Sequence, residues 1–157
     1  MMKLGCAGVM AAIAVLSGCQ AEVKVQPLPP PPPVYTPPPP PAAPVTINDR
    51  VEFDSASPLL RDQDKPMLDR IAKLLKDNAH VRLVELQAHT DDGGEKDPNL
   101  LLSEARGEVV RGYLINQGVE AARMRVHAFG TTVPIDNNNT PEGRQHNRRV
   151  EFRVIQQ

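Results

Sequence analysis

Val81-Arg82-Leu83-Val84-Glu85-Leu86-Gln87-Ala88, then the polar run His89 to Pro98, then Asn99 to Gln117, decides the architecture. The first segment alternates apolar and polar residues and predicts a central strand. The second contains Gly93-Gly94 and predicts a loop. The third predicts a helix with Leu102, Ala105, Val109, Tyr113 and Leu114 on its buried face, stopped by Gly118. Upstream, Arg50-Val51-Glu52-Phe53 reads as a half-buried strand. Pro58 to Asn78 carries a helix whose apolar stripe is Met67, Leu68, Ile71, Leu74 and Leu75. Asp62 or Asp64 can start that helix, with Pro66 tolerated in its first turn. Downstream, Val126 to Phe129 is a short strand and Thr131 to Thr140 an Asn-rich loop. Thr140-Pro141-Glu142 opens a short helical turn, and Arg149 to Ile155 is the last strand. The predicted fold is α+β in the order β-α-β-α-β-(short helix)-β, one mixed four-stranded sheet with two main helices on one face.

The chain has 157 residues and 17 prolines, and twelve of the prolines fall between Pro27 and Pro44. Proline lacks a backbone N–H and breaks helices and central strands, so that tract cannot join a packed core. It leaves residues 46–157 as one domain. Three Phe, two Tyr and no Trp mean that aliphatic side chains must fill the core. With 18 basic and 19 acidic residues the formal net charge is −1, which argues against a nucleic-acid partner. Both cysteines, Cys6 and Cys19, precede the proline tract, so the domain has no disulfide and no Cys-ligated zinc. His80, His89, His127 and His146 share no metal-ligand spacing. No metal or other cofactor is expected.

Residues 1–18 read as a secretory signal: Lys3, then an apolar stretch Leu4 to Leu16, too short to span a bilayer. Leu16-Ser17-Gly18-Cys19 resembles the lipobox of bacterial lipoproteins, which implies cleavage before Cys19 and acylation of that cysteine. Gln20, by the usual bacterial sorting rule, points to the outer membrane. Residues 19–45 are then the lipidated N-terminus and a linker. Its runs Pro29–Pro33 and Pro37–Pro41 favour polyproline II, which rises about 3.1 Å per residue and holds a domain off a surface.

Chemistry concentrates at Thr90-Asp91, Asn99, Leu102-Ser103 and Arg106. Asn99 and Arg106 lie about two helical turns apart and project from similar sides. A carboxylate beside a guanidinium suits a zwitterionic ligand, because arginine's planar fork binds carboxylate bidentately. Spacing equally allows Asp91 and Arg106 to pair with each other as a structural salt bridge. His89, Asp91 and Glu142 could be cast as acid–base groups, but no nucleophile–base constellation accompanies them, so no catalytic residue is assigned.

His89-Thr90-Asp91, Asn99-x-x-Leu102-Ser103-x-x-Arg106 and Thr140-x-x-Gly143-Arg144-x-x-Asn147-Arg148-Arg149-Val150-Glu151 resemble, in order and spacing, the OmpA C-terminal-like, peptidoglycan-associating domain. That family includes peptidoglycan-associated lipoproteins, and the resemblance runs from about Val51 to Val154. It implies non-covalent binding of the diaminopimelate in peptidoglycan stem peptides. Asp91 then takes the side-chain ammonium and Arg106 the adjacent carboxylate. Asn99 and Arg148 add hydrogen bonds and charge at the pocket wall, and Thr90 shapes it. Expected partners are peptidoglycan, outer-membrane lipid through acylated Cys19, and envelope proteins of a Tol–Pal, secretion or porin assembly. Two positions depart from the pattern: Ala88 where the family has Gly, and Gly107 where it has Ala. The second predicts a looser helix, since mid-helix Gly costs about 0.5–1 kcal/mol relative to Ala. Asn147 is expected to brace the turn before the last strand, and Arg149 to be structural or solvent-facing.

Overall fold

A computed structural model describes residues 43–157. The expected signal sequence at residues 1–18, Cys19 and the two five-proline runs lie outside the described residues. The domain consists of β1 (Arg50–Glu52), α1 (Lys65–Asp77), β2 (Leu83–His89), α2 (Lys96–Asn116), β3 (Met124–Gly130), α3 (Pro141–Asn147) and β4 (Arg149–Gln156). The strands form one sheet in the order β1-β4-β2-β3. β2 pairs parallel with β3, which α2 makes possible by crossing between them, while β4 is antiparallel to both β1 and β2. This is the α+β order expected.

Strand alternation separates two faces. Val84, Leu86 and Ala88 of β2, Val150 and Phe152 of β4 and Val51 of β1 meet Leu68, Ile71 and Leu75 of α1 and Val110 and Leu114 of α2 in one core. Both main helices therefore cover the same face. The opposite face carries Glu85, Gln87, Arg125, His127, Arg149 and Glu151 as cross-strand neighbours. Glu85 is buried there and held by Arg125 at 2.7 Å.

α1 starts where Pro66 occupies the first turn, whose N–H groups lack helical partners anyway. A short 3₁₀ turn at Asp62–Asp64 precedes it, and Pro58 to Arg61 is not helical. α2 starts three residues before Asn99, because Pro98 is also tolerated in a first turn. It ends as expected at Gly118, with φ at +90°. There Val119 N–H donates to Leu114 O and Gly118 N–H to Ile115 O, the two bonds of a Schellman stop.

The buried face of α2 differs from expectation. Asn99, Ser103, Arg106, Gly107, Val110 and Leu114 point inward, while Leu102, Ala105, Val109 and Tyr113 are only half-buried. The inward stripe is polar at its N-terminal half, so apolar spacing rotates the helix by about one residue. Gly107 lets α2 approach β3: a Cβ there would sit 2.4 Å from Val126 Cγ1.

Candidate functional site

The C-terminal ends of β1 and β2, the start of β4 and the first turns of α2 converge on Asp91. Asp91 follows β2 directly, and Thr90 N–H donates to Gly130 O at 2.9 Å, tying the loop to the end of β3. Asn99 is buried. Its Nδ2 donates to Gly93 O at 2.8 Å and Glu95 O at 3.0 Å, so its amide orders the 93–95 loop beside Asp91. Gly130 N–H donates to Ser103 Oγ at 3.1 Å, and Ser103 Oγ–H to Leu100 O at 2.7 Å. This relay seats α2 on β3.

Asp91 pairs with Arg148. Arg148 Nη1 donates to Asp91 Oδ2 at 2.7 Å, and the two side chains are 11% and 13% exposed. Arg148 Nε donates to Phe53 O at 3.1 Å, its Nη2 to Gln145 Oε1, and Phe53 N–H returns to Arg148 O at 2.8 Å. The guanidinium is thereby held in one plane against the carboxylate.

Arg106 lies behind this pair. It is fully buried, and no ion pair joins it to Asp91 among the described residues. Its Nε donates to Ser57 O at 3.0 Å, Nη2 to Asp54 O at 2.8 Å and Nη1 to His89 O at 3.3 Å. The cation also lies over the Phe53 ring at 5.2 Å. Burial lowers its pKa to about 10, opposed by the attraction of Asp91 and reinforced by Arg148. Asp91 and Arg106 therefore form no salt bridge with each other. The carboxylate belongs to Arg148, and Arg106 is locked to three carbonyls, two of them in the turn after β1. That turn holds Ala56 at φ +52°.

Thr90 Oγ1 is buried with no protein partner among the described residues, next to the ion pair. His89 is buried on the sheet's other face, stacked on Phe129 with ring centroids 5.0 Å apart. Burial, then Arg149, holds its pKa at about 4. A charged imidazole is thus absent from the site near neutral pH.

α3 locks the remaining wall. Thr140 caps it by accepting from Gly143 N–H at 3.0 Å. Asn147 braces the turn as expected: its Oδ1 accepts from Ile135 and Asp136 N–H at 2.8 and 3.0 Å, and Nδ2 donates to Asp136 O at 2.9 Å. Arg149 is structural and buried, with Nε donating to Glu151 Oε1 at 2.6 Å. Two clefts of about 310 and 240 Å³ lie elsewhere, between residues 45–50 and β4.

The model of the OmpA family matches residues 52–148. The probable lipoprotein YiaD of Escherichia coli is 39% identical over 102 residues, covering 65% of this chain and 46% of YiaD. The peptidoglycan-binding protein ArfA of Mycobacterium tuberculosis is 36% identical over 104 residues, covering 66% of this chain and 32% of ArfA. The chain therefore spans less than half the length of these two curated relatives. The crystal structure of the peptidoglycan-associated lipoprotein from Burkholderia pseudomallei superposes with a TM-score of 0.63 at 31% identity, over 66% of this chain and 86% of that one. The matched span contains every residue of the Asp91 site, and on that match the chain belongs to the OmpA family.

Proposed function

We propose that the chain is an outer-membrane lipoprotein that grips the diaminopimelate of peptidoglycan stem peptides and tethers the envelope to the wall without catalysis. The observation that carries this is the Asp91–Arg148 pair backed by Arg106. A carboxylate and a guanidinium in contact satisfy each other in the free domain, and a zwitterion replaces both partners at once. The ligand's ammonium displaces Arg148 from Asp91, and its carboxylate takes the donors that Asp91 gives up. Arg106 adds fixed positive charge behind that carboxylate and donates through the two of its five N–H groups that its three carbonyl bonds leave. Thr90 Oγ1 supplies a further hydrogen bond, and Asn99 keeps the loop in place. Acylated Cys19 provides the lipid end, and many wall contacts act together through avidity. The names of relatives support the wall and lipid ends: one is called a peptidoglycan-binding protein, others lipoproteins.

The test is co-sedimentation of the purified protein with isolated peptidoglycan. Asp91→Asn keeps the side-chain shape and removes the charge. Losing a charge-assisted hydrogen bond of about 1.5–3 kcal/mol weakens binding roughly 10- to 150-fold. Free diaminopimelate should compete, and a lysine-type wall should bind more weakly. A folded Asp91→Asn protein that sediments like the parent removes the assigned site. Palmitate labelling lost in Cys19→Ser checks the lipid end.

A further inference from the structure

Strand β1 joins the end of the domain where the linker enters to the end where the site lies. Val45 is clasped by the side chain of Gln157: its N–H donates to Oε1 at 2.8 Å and its carbonyl accepts from Nε2 at 2.9 Å. From there the chain runs alongside β4, and Arg50, Val51 and Glu52 pair with Glu151, Val150 and Arg149. Between clasp and strand it stands off from β4, where the two clefts open, and is held by buried Ile47. Immediately after β1 come Phe53, Asp54 and Ser57, whose carbonyls hold Arg148 and Arg106.

We propose that β1 carries the pull on the domain and couples it to the integrity of the site, an inference that rests on the tether reading above. Pull enters at Val45 and leaves at Asp91 and Arg148, at the opposite end of β4. Eight extended residues separate Val45 from Phe53, about 26 Å. The force is therefore directed along the strands, and the three β1 pairs, the Phe53–Arg148 bond and the Gln157 clasp share it in shear. When β1 slides off β4, the carbonyls of residues 53–57 leave both arginines. The wall grip then fails because its site comes apart, before the ligand's own bonds are exhausted.

A reversible staple tests this. Arg50→Cys with Glu151→Cys places two thiols at directly opposed positions, whose Cα separation of about 4.5–5.5 Å suits a disulfide. The full chain, with Cys6→Ser and Cys19→Ser and held in mild detergent, is bound to immobilised peptidoglycan. It is then pulled from an N-terminal or a C-terminal tag. Unloaded sedimentation with peptidoglycan is measured first, for oxidised and reduced protein alike. Pulled from the N-terminus, the oxidised form should hold about tenfold longer at fixed load than the reduced form, the factor expected from one to two hydrogen bonds' worth of barrier. Pulled from the C-terminus, through β4, the two forms should behave alike. Normal unloaded binding with lifetimes indifferent to the staple overturns the role of β1. Absence of unloaded binding in both forms and in the unstapled parent overturns the tether reading instead.

Discussion

Gly107→Ala is the substitution for which the family pattern and the packing predict opposite signs. Alanine should stabilise the interior of α2 by about 0.5–1 kcal/mol, since glycine loses more backbone entropy on folding. The new Cβ, however, would lie 2.4 Å from Val126 Cγ1 and 3.3 Å from Cγ2, where ordinary carbon contacts are about 3.5–4 Å. Val126 is β-branched and sits on a paired strand, so it has little rotamer freedom with which to yield. Overpacking of this kind costs about 1–3 kcal/mol. The net expectation is a loss of about 1–2 kcal/mol. Each kilocalorie lowers the midpoint by about 4–8 °C in a domain of roughly this size. In a Val126→Ala background both Cγ atoms are gone and the sign should reverse, leaving a gain of about 0.5–1 kcal/mol from helix propensity. Urea unfolding of the four proteins of this cycle measures the coupling, expected to exceed about 1 kcal/mol. Gly107→Ala raising stability in the parent background would refute the close approach of α2 to β3.

Arg106→Lys should cost about 3 kcal/mol in stability, because a single ammonium cannot reach the carbonyls of Asp54, Ser57 and His89 together; urea midpoints check it. Gly143→Ala should cost about 3 kcal/mol by the same measurement: its Cβ would fall 2.0 Å from Asn137 O, a backbone atom that cannot rotate away. His89 gives a pH dependence. Its folded pKa of about 4 lies below the ordinary 6.5, so between these values the unfolded chain binds a proton that the native domain refuses. Stability should fall as pH drops through that window, with a slope approaching about 1.4 kcal/mol per pH unit. Burial dominates, Arg149 and His127 add to it and Glu151 opposes it, so His89→Gln should flatten the slope in unfolding curves taken from pH 7 to 4.

Local physics made much of this fold readable. Leu68, Ile71 and Leu75 fall at helical spacing and are buried, Val84, Leu86 and Ala88 alternate and are buried, and Gly118 stops α2 by the geometry that favours glycine. Asn147 as a brace follows from its amide and its place before a strand. The face of α2 was not readable. Arg106 points inward to carbonyls of Asp54 and Ser57 some fifty residues away, Ser103 to Gly130 N–H on β3, and Asn99 back to the 93–95 loop, and hydrophobic periodicity carries no trace of those bonds. The partner of Asp91 was hidden for the same reason. Arg148 is 57 residues away, and only the antiparallel return of β4 beside β2 brings it to the carboxylate. The residues named for the site do gather at one end of the sheet, but in two layers, Asp91 and Arg148 in front and Arg106 behind.

The clasp between Val45 and Gln157 also bears on how such a domain travels between proteins. Because the chain enters and leaves at one seam, the domain can be spliced into the surface loop of a host protein with short connectors and no rearrangement of its sheet. Closing that seam with a short peptide and opening the chain at the exposed Glu120, just before the 3₁₀ turn Ala121–Arg123, should give a circular permutant that keeps Asp91, Arg106 and Arg148 in register. A module with one doorway suits being hung on otherwise unlike proteins, and the partial spans over which this chain matches YiaD and ArfA fit that kind of reuse.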